Sequence, residues 1–183
     1  MIQAIKEKIE EIRGIKYISA ENERIESKKE FHKLARNAKR SVFIVAGELT
    51  ARLYDDKFPE IIAEKIQKDS NFMVKLLFSK VAEDKAEVVS KLTEENPNLA
   101  SVFRKKSDNI KMYYSNKRPR YHFDVFDDNL RLEEPHEAGK SKPVLVIRGN
   151  KEMANEYQGY FDEMCKGGGA VEVIELFPSD FPS

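Results

Sequence analysis

The sequence predicts an α/β domain built on a mixed, mostly parallel β-sheet flanked by helices. Three short segments, SVFIVA at 41–46, FMVKLLF at 72–78 and PVLVIR at 143–148, are almost wholly apolar and rich in β-branched residues. That is the pattern of strands buried on both faces. Stretches with apolar residues at helical spacing alternate with these strands, giving a strand–helix–strand order. Two further short segments, 122–126 and 130–134, flank an Asp/Asn turn and read as a hairpin, which makes the sheet mixed.

In chain order, Ile2, Ile5, Ile9 and Ile12 form one apolar stripe, predicting a helix over 1–13 that stops at Gly14. Residues 16–19 read as a short strand and 21–40 as a helix. After the 41–46 strand, 58–68 is helical, with Pro59 in its first turn. The 72–78 strand follows, then a helix over 84–93 that ends before Asn96-Pro97. Residues 109–114 form a strand ahead of the hairpin. A helix over 151–164 closes on Gly167-Gly168-Gly169, and 170–177 is a terminal strand. The expected division is 1–24 as an N-terminal helix and strand for packing or self-association, 25–177 as the α/β domain and 178–183 as a tail.

The chain has 183 residues, 40% of them hydrophobic, enough for one domain with its own core. The 32 basic and 32 acidic side chains cancel, so no global field draws the protein to nucleic acid or anionic membrane. Binding of that kind requires a local patch. A single cysteine, Cys165, excludes an internal disulfide framework and points to a reducing, cytoplasmic setting. The first residues are too charged for a secretory signal, and no apolar run approaches a membrane span.

The chemistry concentrates around YHFDVFDDN at 121–129. Lys117, Arg118 and Arg120 precede it, three cations in four residues and a candidate phosphate-binding loop. On a strand, His122, Asp124 and Phe126 share one face. A two-residue turn at Asp128-Asn129 places Glu133 on that face, whereas one extra loop residue places Glu134 and His136 there instead. Three readings are open: a metal site from His122, Asp124, Glu134 and His136; a histidine nucleophile or base oriented by a carboxylate; or a structural His–carboxylate pair. His32, among Lys28, Lys29 and Lys33, is expected at the surface. Tyr113, Tyr114, Tyr121 and Phe123 are expected mainly in the core, and Cys165 as a partly buried thiol.

The order of parts resembles a single phospholipase D-like domain over most of residues 25–165. HKLARNAKRSVFIVAGELT resembles that superfamily's opening helix and strand, FPEIIAEKIQKDSNFMVKLLF its second pair, and VLVIRGNKEMANEYQGYFDEM its closing strand and helix. RPRYHFDVFDDN stands in the place of its signature strand. The opening also resembles such domains in archaeal sugar-responsive transcription regulators. The superfamily signature is His-x-Lys-(x)4-Asp, with a nucleophilic histidine, a phosphate-holding lysine and a second histidine from a second copy. His122 matches the histidine. Asp124 stands at the lysine position and Asn129 at the aspartate position, so the signature is degenerate. The resemblance implies a phospholipase D-like fold, no cofactor and a homodimer. The leading expectation is a regulatory or binding domain without conventional catalysis, recognising an anionic, phosphate-bearing ligand or nucleic acid. The alternative is a divergent dimeric phosphodiesterase or nuclease using His122, and the third is the metal site.

Overall fold

The computed structural model describes residues 14–47, 57–79, 90, 92–94, 96–104, 109–115, 117, 119, 121–133, 142–166 and 170–172. Its strands are β1 (Ile15–Ile18), β2 (Ser41–Ala46), β3 (Met73–Ser79), β4 (Ile110–Ser115), β5 (His122–Phe126), β6 (Asn129–Glu133), β7 (Val144–Ile147) and β8 (Ala170–Glu172). The helices are α1 (Lys28–Asn37), α2 (Lys57–Lys68), α3 (Pro97–Arg104) and α4 (Lys151–Lys166). A wide π-type turn, Glu23–Ser27, leads into α1. The expected helix over 1–13, most of that over 84–93 and the tail lie outside the described residues.

The eight strands form one sheet in the order β1-β7-β6-β5-β2-β3-β4-β8. The sheet is mixed and flanked by helices, as the sequence predicts. Its balance differs from the expectation: only β2–β3 and β3–β4 are parallel, and the other five pairings are antiparallel. The reason is that only β2, β3 and β4 are sheet neighbours joined by helical crossovers, while the β5–β6 hairpin, β7 and the edge strands β1 and β8 fold back beside them. One face carries Val42, Ile44, Leu76 and Phe126 against Phe31 of α1, Phe58 of α2 and Leu99 of α3. The other carries Phe43, Val45, Phe123 and Val125 against Ala154 and Phe161 of α4. Residues 42–46 are buried throughout, which matches the unbroken apolar run there. Pro97, read from the sequence as lying beyond a helix end, occupies the first turn of α3, where its missing N–H costs nothing.

Polar ties set how α1 and the outer strands join the sheet. Glu30, buried on α1, accepts from Arg148 Nη2 at 2.5 Å and from Lys16 Nζ at 3.4 Å. Burial pushes its carboxyl up, but Arg148, with Lys16 and Lys33, outweighs this and holds it below its ordinary value. Lys65 of α2 donates to the carbonyl oxygens of Arg36 (2.8 Å) and Ala38, serving the unsatisfied end of α1. His32, expected at the surface, is buried: the exposed sector of α1 is occupied by other side chains, and the His32 ring packs edge-on against Phe31.

The β5–β6 hairpin closes through Asp127-Asp128, with Phe126 opposite Asn129. Asp127 has a φ of 52°, a left-handed conformation that aspartate tolerates better than most residues. Its carboxylate accepts from the backbone N–H groups of Lys39 (2.6 Å), Arg40 (2.9 Å) and Ser41 (2.9 Å). The turn therefore anchors the entry to β2. Asp127→Ala is expected to lower stability by about 2–4 kcal/mol, since three bonds to a charged acceptor go at once. Urea unfolding checks this, and a loss of only about 0.5 kcal/mol, ordinary for a surface site, would contradict it.

Candidate functional site

His122 opens β5. Its neighbour Phe123 pairs with Val45, so the histidine lies at the C-terminal end of β2, the end of a parallel strand set where α/β folds hold ligands. The fit there is tight. A Cβ built on Gly47 would come within 2.7 Å of both Cε1 and Nε2 of the imidazole. The Nε2 atom itself is buried. Glycine after β2 is what lets the ring lie flush against the chain.

Asp124 follows on the same face, pointing to the side covered by α1. Directly across the hairpin sits Arg131, and across from His122 sits Glu133. The turn residues are Asp127-Asp128 rather than Asp128-Asn129, which moves the register by two residues and so keeps Glu133 on the His122 face. Arg131 is 2% exposed. It donates from Nη1 to Asp124 Oδ2 at 2.9 Å and from Nη2 to Glu133 Oε2 at 2.8 Å. Its Nε and Nη2 also reach Ser27 Oγ, at 3.1 and 2.6 Å. The wide turn before α1 thus supplies the uncharged member of a buried Ser27–Arg131–Asp124–Glu133 cluster.

With both carboxylates ionised this cluster carries one excess negative charge. Burial pushes the Asp124 carboxyl up to about 6; Arg131 pulls the other way and Glu133 adds to the rise. Burial also works against the Arg131 cation, but Asp124 and Glu133 outweigh it and hold its pKa above the ordinary value. The guanidinium is spent on its own chain.

Of the residues singled out in the sequence, His122 and Asp124 come together here. Lys117 is exposed in the segment after β4, and its N–H donates to Ser115 Oγ at 3.1 Å. Arg118, Arg120, Glu134 and His136 lie outside the described residues. Among the described residues no three of His, Cys, Asp or Glu gather as metal ligands. A metal at Asp124 would first have to displace Arg131. Asn129 serves the hairpin: its side chain donates to the Phe126 carbonyl (2.9 Å) and accepts from the Gly149 N–H (3.2 Å). Phe123 is core, stacked edge-on with Tyr157. Cys165 is half-buried, and burial pushes its thiol up to about 12, so it is no nucleophile near neutral pH. Sequence reasoning missed Arg131, Glu133's link to it, and Ser27. One signal was present: in NLRLE the leucines alternate with Arg131 and Glu133, putting both charges on the Asp124 face.

No protein-family model and no curated protein matches the sequence. Solved structures do. Nuc from Salmonella typhimurium, a phospholipase D family member, superposes with a TM-score of 0.55 at 11% identity, covering 86% of this chain and 95% of that one. The fold is that of the phospholipase D family. Phosphatidylserine synthase from Haemophilus influenzae matches 92% of this chain with a TM-score of 0.58 and 16% identity. The archaeal chromatin protein TrmBL2, described for a novel mode of DNA binding, matches 88% with a TM-score of 0.55 and 11% identity. This chain spans only 40% of the synthase and 58% of TrmBL2. No helix among the described residues is long and apolar enough to cross a membrane.

On this phospholipase D-like fold, two variants probe the site. A carboxyl raised from 3.8 to about 6 binds its proton more tightly in the folded state than in the unfolded state. The stability this gives is complete below about pH 4 and is lost as pH rises through 6. Relative to wild type, Asp124→Asn should therefore gain about 1–2 kcal/mol between pH 5 and pH 7.5 in denaturant unfolding. A pH-independent difference would contradict the assignment. Gly47→Ala should cost about 1–3 kcal/mol through overpacking against the imidazole. The cost should largely vanish in a His122→Ala background, and an undiminished cost in the double variant would refute the contact.

Proposed function

We propose that this chain is a non-catalytic phospholipase D-fold module that recognises an anionic, phosphate-bearing partner. The observation that carries the reading is the pairing of Asp124 with Arg131. The resemblance of the signature strand puts Asp124 where a lysine would grip the phosphoryl oxygens. Here that position holds a buried carboxylate, and the nearest cation, Arg131, is saturated by two carboxylates and a serine. Like charges about 4 Å apart in a partly buried site repel by several kcal/mol, so a phosphodiester brought to His122 meets an acidic cluster in place of a cation. The burial of Nε2 beneath Gly47 adds a steric obstacle to in-line attack.

Binding then falls to cations outside this cluster. Lys117, exposed, with Arg118 and Arg120 beside it in sequence, supplies the loop part of that recognition. The likeness in fold to a chromatin protein with a DNA-binding role supports a nucleic-acid partner as one form of the anion. Purified protein should show no turnover of a model phosphodiester such as bis(p-nitrophenyl) phosphate, with or without added divalent metal. Arg118→Ala/Arg120→Ala should weaken retention on a phosphate-bearing matrix. Turnover that His122→Ala abolishes, accompanied by a dimer and a trapped phosphohistidine, would overturn this reading in favour of a divergent phosphodiesterase.

A further inference from the structure

Exposed cations with no exposed acid among them line one face of α1. At 100° per residue, the buried positions Glu30, Phe31, His32, Leu34 and Ala35 occupy one side of the helix. The exposed positions are Lys29, Lys33, Arg36 and Asn37, all within a sector of about 100°. The solvent face of α1 is therefore three cations and one amide, with no acid. Lys39, also exposed, continues the ridge past the helix end. Among the described residues, none of Lys29, Lys33 and Arg36 forms an ion pair; the carboxylate on this helix, Glu30, is buried with Arg148 and Lys16.

A helix face that merely keeps a protein in water interleaves its charges. Helix α2 does so, with Glu64 and Lys68 paired one turn apart. On α1, Lys29 and Lys33 are four residues apart and Lys33 and Arg36 three apart, so each pair sits as like-charge neighbours and disfavours the helix. Glu30, the acid whose field Lys33 shares, is buried and already bonded to Arg148 and Lys16. An external polyanion would relieve the repulsion. Along the axis the cations are about 4.5–6 Å apart, a rise that lets successive side chains reach successive backbone phosphates of a duplex. Asn37 adds a neutral donor for a phosphate oxygen. The chain as a whole is neutral, so the ridge is a local feature and not a by-product of general basicity.

We infer that the exposed face of α1, through Lys29, Lys33 and Arg36, is a backbone-binding surface for double-stranded nucleic acid. It rests on the reading of the chain as an anion-recognising module and assigns that recognition to α1 rather than to Lys117, Arg118 and Arg120. Binding here is sequence-independent, because phosphate contacts position a duplex without reading it.

The test is fluorescence anisotropy with a mixed-sequence 20-base-pair duplex and full-length protein, at 50 and 200 mM KCl. Three neutralised phosphates give a log–log salt slope of about −2.7, so wild-type affinity should fall roughly 40-fold across that range. Lys29→Gln/Lys33→Gln/Arg36→Gln keeps good helix formers and removes the like-charge repulsion, so it folds. It should bind at least about tenfold more weakly at 50 mM KCl, with the slope reduced by about one per cation removed. Duplexes of different sequence should behave alike. The inference is overturned if the triple variant binds as wild type does. It is also overturned if wild type binds no duplex at 50 mM KCl, or if it prefers phosphatidylserine vesicles to the duplex. Loss of duplex binding only in Arg118→Ala/Arg120→Ala sinks the α1 surface and leaves the anion-binding reading standing. Phosphodiester turnover dependent on His122 sinks the non-catalytic reading and leaves the α1 surface untouched.

Discussion

A guanidinium inside a sheet must have its charge and its five donor hydrogens answered by its own surroundings, because water is not there to do so. Arg131 meets that demand with Asp124 across the hairpin, Glu133 two residues along its own strand and Ser27 from the turn entering α1. Each partner belongs to a different part of the fold. The cluster therefore couples the β5–β6 register, the seating of α1 over the sheet and the width of the turn that precedes it. Removing any one partner would leave the others buried without compensation, which is why such groups tend to fix a single arrangement rather than add net stability.

The two ends of β5 divide the work. At its start, His122 is pressed against Gly47 at the carboxyl end of β2. At its close, Asp127 takes a left-handed turn and collects three amide protons from the approach to β2. Both ends therefore fasten β5 to the same central strand. An arrangement that in the phospholipase D resemblance presents a reactive histidine is here held in place with its Nε2 enclosed.

Much of this architecture was legible in the sequence, for definite reasons. The segments 41–46, 72–78 and 143–148 are almost wholly apolar, the pattern of strands covered on both faces, and each contributes a strand to the sheet. The hairpin was readable from its flanking alternation, but the sequence leaves its register open between Glu133, or Glu134 with His136, on the His122 face, and the pairing of His122 with Glu133 selects the first. What could not be read was direction and pairing. Whether a neighbour runs parallel is fixed by which loops cross over, and the antiparallel return of β7 and β1 leaves no local signature. His32 was misplaced because lysines flank it in sequence, whereas on the helix they lie around it and its own position turns inward. Arg131 was passed over because a lone arginine between leucines looks like a solvent-facing residue. Only the pairing with Asp124 shows that its face is covered by α1.

The pairing of Asp124 with Arg131 at 2.9 Å has a consequence for what position 124 can carry. Asp124→Lys would set a second cation against Arg131 in the interior, with Glu133 left to balance both and Ser27 facing a displaced guanidinium. Restoring the balance would need coordinated changes on two strands and a helix entry, each of them costly in isolation. The ion cluster works as a lock: it holds position 124 to the charge it already carries.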